Sequence, residues 1–199
     1  SRHQRGCAGR VIANSLYLQI HDTCKSTFGT QTMPAAMIEI VQGDIVDQPD
    51  LDAVVNAANA ELRPGGGVAG AIHRAAGPGL DAACRPLAPI EPGQAVLTEA
   101  FDLSNCFVIH ALGPRYGIDQ PSDELLAAAY RSALACCREH GLQSVGFPAI
   151  SAGAFGFPLV PAARIAVEAV KANAPNELKV RFVLFDSTSR AAFADQIGD

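Results

Sequence analysis

Short apolar runs alternate with longer amphipathic stretches along most of this chain, and that rhythm indicates the fold class. Met37–Val41, Ala53–Asn56, Gln94–Glu99, Cys106–Ala111, Ser144–Phe147 and Val180–Phe185 are strand candidates, and Ala53–Asn56 has no polar alternation, as suits a strand covered on both faces. Between them, Val68–Ala76 places Val68, Ile72 and Ala75 on one face of a helix, and Leu80–Cys84 continues helical after the Gly77–Pro78–Gly79 break. Further helices are predicted from Pro121 to His140, with Ser122 as cap and Gly141 as stop, over Leu159–Ala172 and over Ser189–Gln196. The runs 94–99 and 106–111 are separated only by a polar turn at Asp102–Asn105. No crossover helix fits there, so they read as a hairpin and the sheet as mixed. Strands alternating with helices predict a three-layer α/β domain over residues 35–199. Residues 1–34 read as an N-terminal extension or edge element, with Leu16–Ile20 as a short strand candidate.

Composition narrows the function classes. With 199 residues, 49% of them hydrophobic, the chain can build one well-buried core. A formal charge of −5 argues against a broad nucleic-acid-binding face, and no basic patch is interleaved with aromatics. DNA is therefore not an expected partner, and RNA is a weak candidate. Six cysteines show neither CxxC nor Cys/His metal spacing, which favours reduced thiols in an intracellular, most simply cytoplasmic, protein. No apolar run is long enough to span a membrane, and the start of the sequence lacks the hydrophobic stretch of a signal peptide. Neither a metal nor a cofactor is expected.

The candidate chemistry lies in loops that follow strands, where open α/β sheets collect ligands. Asp44, after Gly43, reads either as a turn aspartate or as an acceptor for a ligand amino group or ribose hydroxyl. Asn56 and Asn59 serve turns, or offer a donor and an acceptor to a sugar. Gly65, Gly66 and Gly67 form neither a G-x-G-x-x-G fingerprint nor a P-loop. They do permit close approach of backbone to a ligand, with the N–H groups of a helix start behind them. Ser151–Ala152–Gly153–Ala154–Phe155–Gly156 is a second glycine-bearing loop before a helix, and the pair suggests a diphosphate held by backbone donors. Phe155 is either a sugar-facing ring or a core anchor, and Phe185 is either a stacking ring or core. His73 and His110 read as structural groups that support or cap their neighbours.

In this order, Gly43–Asp44–Ile45, Val55–Asn56–Ala57–Ala58–Asn59, Gly65–Gly66–Gly67–Val68, Ile109–His110 with Gly113–Pro114, and Phe147–Pro148–Ala149–Ile150–Ser151 through Gly156 resemble the macrodomain family of ADP-ribose-binding modules. The resemblance covers roughly residues 36–192. It implies an α/β/α sandwich with a mixed six- or seven-stranded sheet. It also implies ADP-ribose or O-acetyl-ADP-ribose as ligand and mono-ADP-ribosylated proteins as partners, with poly(ADP-ribose) a weak candidate. By the family pattern, Asp44 contacts the adenine amino group, Ile45 adds backbone donors and Phe185 stacks beside adenine. Residues 151–156 wrap the diphosphate and Gly65–Val68 close on its other side. Asn59 binds the distal ribose, Asn56 supports that loop and Phe155 packs on the ribose. Catalytic roles fall to Asn59, Gly66 and Phe155, for release of ADP-ribose from acidic side chains or deacetylation of O-acetyl-ADP-ribose. One departure stands out. Deacetylase-like members usually carry an aspartate where this chain has Ala69, whereas viral members resemble the run Gly65–Gly70 as it stands. A non-catalytic module that recognises ADP-ribose is the alternative.

Overall fold

Six strands form one sheet in the order β1-β6-β5-β2-β4-β3. They are β1 (Met37–Gln42), β2 (Ala53–Ala57), β3 (Ala95–Glu99), β4 (Phe107–Ala111), β5 (Ser144–Phe147) and β6 (Lys179–Leu184). This computed structural model describes residues 36–197, so the strand expected at Leu16–Ile20 lies outside the described residues. Neighbouring strands run parallel except β3 and β4, which are antiparallel, so the sheet is mixed as the hairpin spacing required. β5 is buried along its whole length and β2 in all but its last residue. That burial accounts for the missing polar alternation in their sequences.

Side chains alternate between the two faces, and each face has its own core. Ala53, Val55, Ile109, Val145, Phe147, Val180 and Phe182 pack against α3 (Ser122–Glu139), α4 (Leu159–Asn173) and α5 (Ser187–Ile197). Val54, Val108 and Val183 face the opposite way, toward α1 (Gly67–Ala76) and α2 (Pro78–Cys84). The result is a three-layer α/β/α sandwich. The larger core holds an aromatic chain in which Tyr130 meets Phe147 at 5.4 Å between ring centres and Phe182 meets Phe193 at 5.0 Å. The edges are offset tilted rings, the preferred aromatic geometry.

Several boundaries move by a residue or two. β6 ends at Leu184, which leaves Phe185 beyond the strand. α2 starts at Pro78, since proline suits a first helical turn. Ser122 is the first residue of α3 and not its cap, because its hydroxyl donates to the Asp119 carbonyl. Cys84, Cys136 and Cys137 are buried free thiols. Cys106 is disulfide-bonded, a departure from the reading of all six cysteines as reduced.

No helix among the described residues is long and apolar enough to cross a membrane.

Candidate functional site

β2 and β5 are parallel neighbours whose chains leave in opposite directions. After β2 the chain enters α1 on one face of the sheet, and after β5 it enters α4 on the other. Such a switch point opens a crevice beyond the C-terminal strand ends. A cavity of about 400 Å³ lies there, within the range of small-ligand sites.

One wall is the loop after β2. Ala58 N–H donates to Ala111 O at 3.0 Å, which continues the β2–β4 pairing into the loop. Asn59 closes the loop on itself, as its Oδ1 accepts from Arg63 N–H at 3.0 Å and its Nδ2 donates to Arg63 O at 2.9 Å. An amide has two hydrogens on nitrogen and two lone pairs on oxygen, so Asn59 keeps capacity for a ligand. α1 begins after Gly66 with no side-chain cap, so its first-turn N–H groups are directed at the cavity mouth. Gly70 lets the loop lie close, because a Cβ there would overlap the Gly65 carbonyl oxygen.

The other wall is the loop after β5. The Tyr130 hydroxyl, fully buried on α3, donates to Pro148 O at 3.3 Å and accepts from Ile150 N–H at 3.2 Å. Ser151 sits in the left-handed region at φ 63°, and the loop then folds through Gly156 N–H to Gly153 O at 2.9 Å and Phe157 N–H to Ser151 O at 3.0 Å. Among the described residues, nothing accepts from the N–H groups of Gly153, Ala154 and Phe155. A neighbouring loop braces this wall through Tyr116 N–H to Phe155 O at 2.9 Å, and Gly113 leaves room for the Ser151 side chain. The Ser151 hydroxyl, buried at the cavity, has no hydrogen-bond partner.

Among the described residues, no ionisable side chain lines the cavity, and the polar side chains there are those of Asn59 and Ser151. Attraction for an anion therefore rests on oriented backbone N–H groups.

Of the residues singled out from sequence, Asn59, Gly65, Gly66, Gly67 and Val68 line one wall, and Ser151, Gly153, Ala154 and Phe155 the other. Ala152 and Gly156 shape the second loop without lining the cavity. Phe155 does both things proposed for it, facing the cavity while packing on the smaller core. Asp44 and Phe185 follow β1 and β6, farther along the same sheet edge. Asp44 is exposed, with Oδ1 accepting from Val46 N–H at 3.2 Å, and Phe185 is 82% exposed. A backbone bond from Gly43 N–H to Leu184 O at 2.9 Å holds these two segments together. The Ile45 side chain is buried in the smaller core.

Asn56 is buried behind the loop, with Nδ2 3.1 Å from His110 Nδ1. His110 Nε2 lies 3.0 Å from Thr98 Oγ1. Burial, with His73 nearby, pushes the His110 pKa down to about 3, so its ring is neutral at physiological pH.

The sequence reading overlooked Ala57, Ala58, Ala149 and Ile150 as cavity walls. The available signal was their position at the C-terminal ends of β2 and β5, where the small side chains of Ala57, Ala58 and Ala149 leave room.

Comparison with known proteins agrees with this geometry. The Macro domain family matches over residues 55–166. A macro domain-containing protein of Streptomyces coelicolor is 46% identical over 167 residues, covering 81% of this chain and 98% of its own. An O-acetyl-ADP-ribose deacetylase of Cronobacter sakazakii is 45% identical over 169 residues, covering 81% and 93%. Among solved structures, the Oceanobacillus iheyensis macrodomain with ADP is similar at a TM-score of 0.78 and 35% identity, covering 84% of this chain and 93% of that one. The Trypanosoma brucei macrodomain in complex with ADP-ribose is similar at a TM-score of 0.74 and 34% identity, covering 81% and 69%. With a family match across more than half of its length and relatives this similar, the chain belongs to the Macro domain family.

Proposed function

We propose that this chain binds ADP-ribose in the β2–β5 crevice and hydrolyses esters of its distal ribose. The observation that carries the reading is a cavity with no ionisable side chain, flanked by a helix start and a loop with uncommitted N–H groups. That arrangement suits a diphosphate, whose charge is met by fixed dipoles without the desolvation cost of a buried lysine. The relatives described as O-acetyl-ADP-ribose deacetylases, and the similar structures holding ADP or ADP-ribose, favour the same ligand.

In this reading the adenine extends toward Asp44 and Phe185, with backbone donors from the Ile45 segment. The diphosphate lies between Gly65–Val68 and Ser151–Gly156. Asn59 holds the distal ribose with its remaining amide hydrogen and lone pair, Asn56 fixes the strand end beneath that loop, and Phe155 covers the sugar. The two substrates share their chemistry. Mono-ADP-ribose on an acidic side chain and O-acetyl-ADP-ribose are both esters of the distal ribose, and water cleaves either to a carboxylic acid and a free sugar hydroxyl.

Ala69 supplies no general base in the first turn of α1. The attacking water is instead held between the ribose and a diphosphate oxygen of the substrate. Gly66 allows the loop to approach it, and Asn59 and Phe155 fix the sugar. Rate enhancement then comes from positioning and from N–H donors that stabilise developing negative charge.

Ala69 also motivates the second reading, a module that recognises ADP-ribosylated proteins without cleaving them. Incubation with a Glu-linked mono-ADP-ribosylated protein and with O-acetyl-ADP-ribose separates the two. Release of ADP-ribose that depends on the folded protein supports the hydrolase. Calorimetric binding with no product after hours would select the recognition module.

A further inference from the structure

Behind α1, outside the cavity lining, is a second chemically distinctive group. His73 on α1, Cys84 at the end of α2 and His110 on β4 are 6%, 1% and 0% exposed. Their ligand-type atoms all lie within 4.8 Å of one another, the only such group among the described residues. Cys84 Sγ is 3.6 Å from His110 Nε2. Two ligands on one tetrahedral zinc stand ~3.3–3.8 Å apart, given bonds of ~2.0 Å to nitrogen and ~2.3 Å to sulfur. That pair is already at coordination spacing, and separations of up to 4.8 Å need to close by as much as ~1.5 Å.

Hydrogen bonding leaves the group incompletely satisfied. Among the described residues, neither ring nitrogen of His73 has a partner, and Asn56 Oδ1 has none either. A buried polar atom without a partner destabilises the folded state. With Asn56 Nδ2 donating to His110 Nδ1, the His110 proton must sit on Nε2, facing Thr98 and Cys84. A half-turn of the Asn56 amide reverses this, so that Oδ1 accepts from Nδ1–H and Nε2 presents a lone pair, which the Thr98 hydroxyl at 3.0 Å shares with the Cys84 side. This is how a carbonyl oxygen commonly fixes the tautomer of a metal-bound histidine. An ion held by His110 Nε2 and by one nitrogen of His73 would give that nitrogen a partner, while the turned amide gives one to the Asn56 oxygen.

We propose that His73, Cys84 and His110 form a buried site for a zinc-class divalent cation, which ties α1 and α2 to β4. Two imidazoles and a thiolate suit that class of ion. Coordination releases the Cys84 thiol proton to solvent and leaves the His110 proton on Nδ1. The Asp81 carboxylate, paired with Arg85 at 2.7 Å, favours positive charge at His73, while burial and that same carboxylate oppose ionisation of the Cys84 thiol, which an ion must overcome. α1 also carries the helix start at the cavity, so the ion would anchor the helix that presents those N–H groups.

The test is refolding of the full chain with Zn2+ or Co2+, removal of loose ions with chelator, and metal analysis by mass spectrometry. The expected result is about one retained ion per chain, a near-ultraviolet thiolate-to-Co2+ charge-transfer band, and a higher unfolding temperature with Zn2+ than without. Cys84→Ala abolishes the band and the retained ion, and His73→Gln weakens retention at least tenfold. Cys137→Ala, a buried thiol elsewhere, keeps both. If Cys84→Ala does not fold, the Co2+ spectrum of the unaltered chain and the His73→Gln variant decide. No retained ion, an ion without the thiolate band, or retention undiminished in both site variants overturns the proposal and leaves only a hydrogen-bonded cluster. None of these readouts involves ADP-ribose, so they stand apart from the proposed ligand.

Discussion

Gly153 and Gly70 are both glycines near the cavity, yet they should fail in opposite ways. A Cβ at Gly153 meets nothing within 4 Å, so valine is accommodated by the fold but occupies the space assigned to the diphosphate. Gly153→Val is expected to keep the wild-type unfolding temperature and lose at least ~100-fold in ADP-ribose affinity, about 2.7 kcal/mol, by calorimetry. A Cβ at Gly70 overlaps the Gly65 carbonyl oxygen, so Gly70→Ala must push the loop off α1. Overpacking of that kind costs about 1–3 kcal/mol, read as a lower midpoint in denaturant titration. An unshifted midpoint would remove the close loop–helix contact from the account. At this scale the glycines were legible because close approach of backbone leaves few alternatives. Asn56 was not, since it differs from Asn59 only in facing His110 across β2 and β4, and that register is a property of the folded sheet.

Tyr130 shows how an element far from the cavity sets its shape. Its hydroxyl takes both a carbonyl and an N–H from residues 148–150, where the chain turns out of β5. Tyr130→Phe keeps the ring packing against Phe147 and leaves two buried backbone groups without a partner. The expected loss is about 1–3 kcal/mol of stability, with weaker ADP-ribose binding as the second loop loosens. Unchanged stability and affinity would mean that the loop is held by its own turns alone. In the sequence, Tyr130 is indistinguishable from any aromatic on the buried face of a helix. The strands and helices were legible from apolar spacing, whereas ends such as Ser122 depended on a local bond to Asp119 that spacing does not encode.

Across the whole molecule, the strand order matters most for function, because it puts β2 beside β5 and opens the crevice between them. The hairpin could be read from a short connection. The order of the parallel strands could not, since any long crossover permits several neighbours. At the opposite sheet edge, β6 is held to the β1–β2 connection by Arg181, which contacts Asp50 at 2.8 Å and Glu39 at 2.9 Å. The Arg181 guanidinium, with Lys179 beside it, holds the Asp50 carboxyl well below the usual carboxylate range. A carboxyl depressed by folding stabilises the folded state above its unfolded value near ~3.9, and that contribution fades as pH falls further. Asp50→Asn should therefore cost up to ~1 kcal/mol at neutral pH, since Asp50 is half exposed, and progressively less below about pH 4. A difference that persists undiminished at low pH would assign the effect to packing instead of charge.

The account rests on the β2–β5 crevice as an ADP-ribose site built from backbone donors, and calorimetric titration of ADP-ribose into the wild-type chain and Gly153→Val tests it most directly. The expected result is one molecule bound per wild-type chain with favourable enthalpy, and binding lost in a variant that unfolds at the same temperature. Absence of binding to the wild-type chain, or equal affinity in the two proteins, would contradict it.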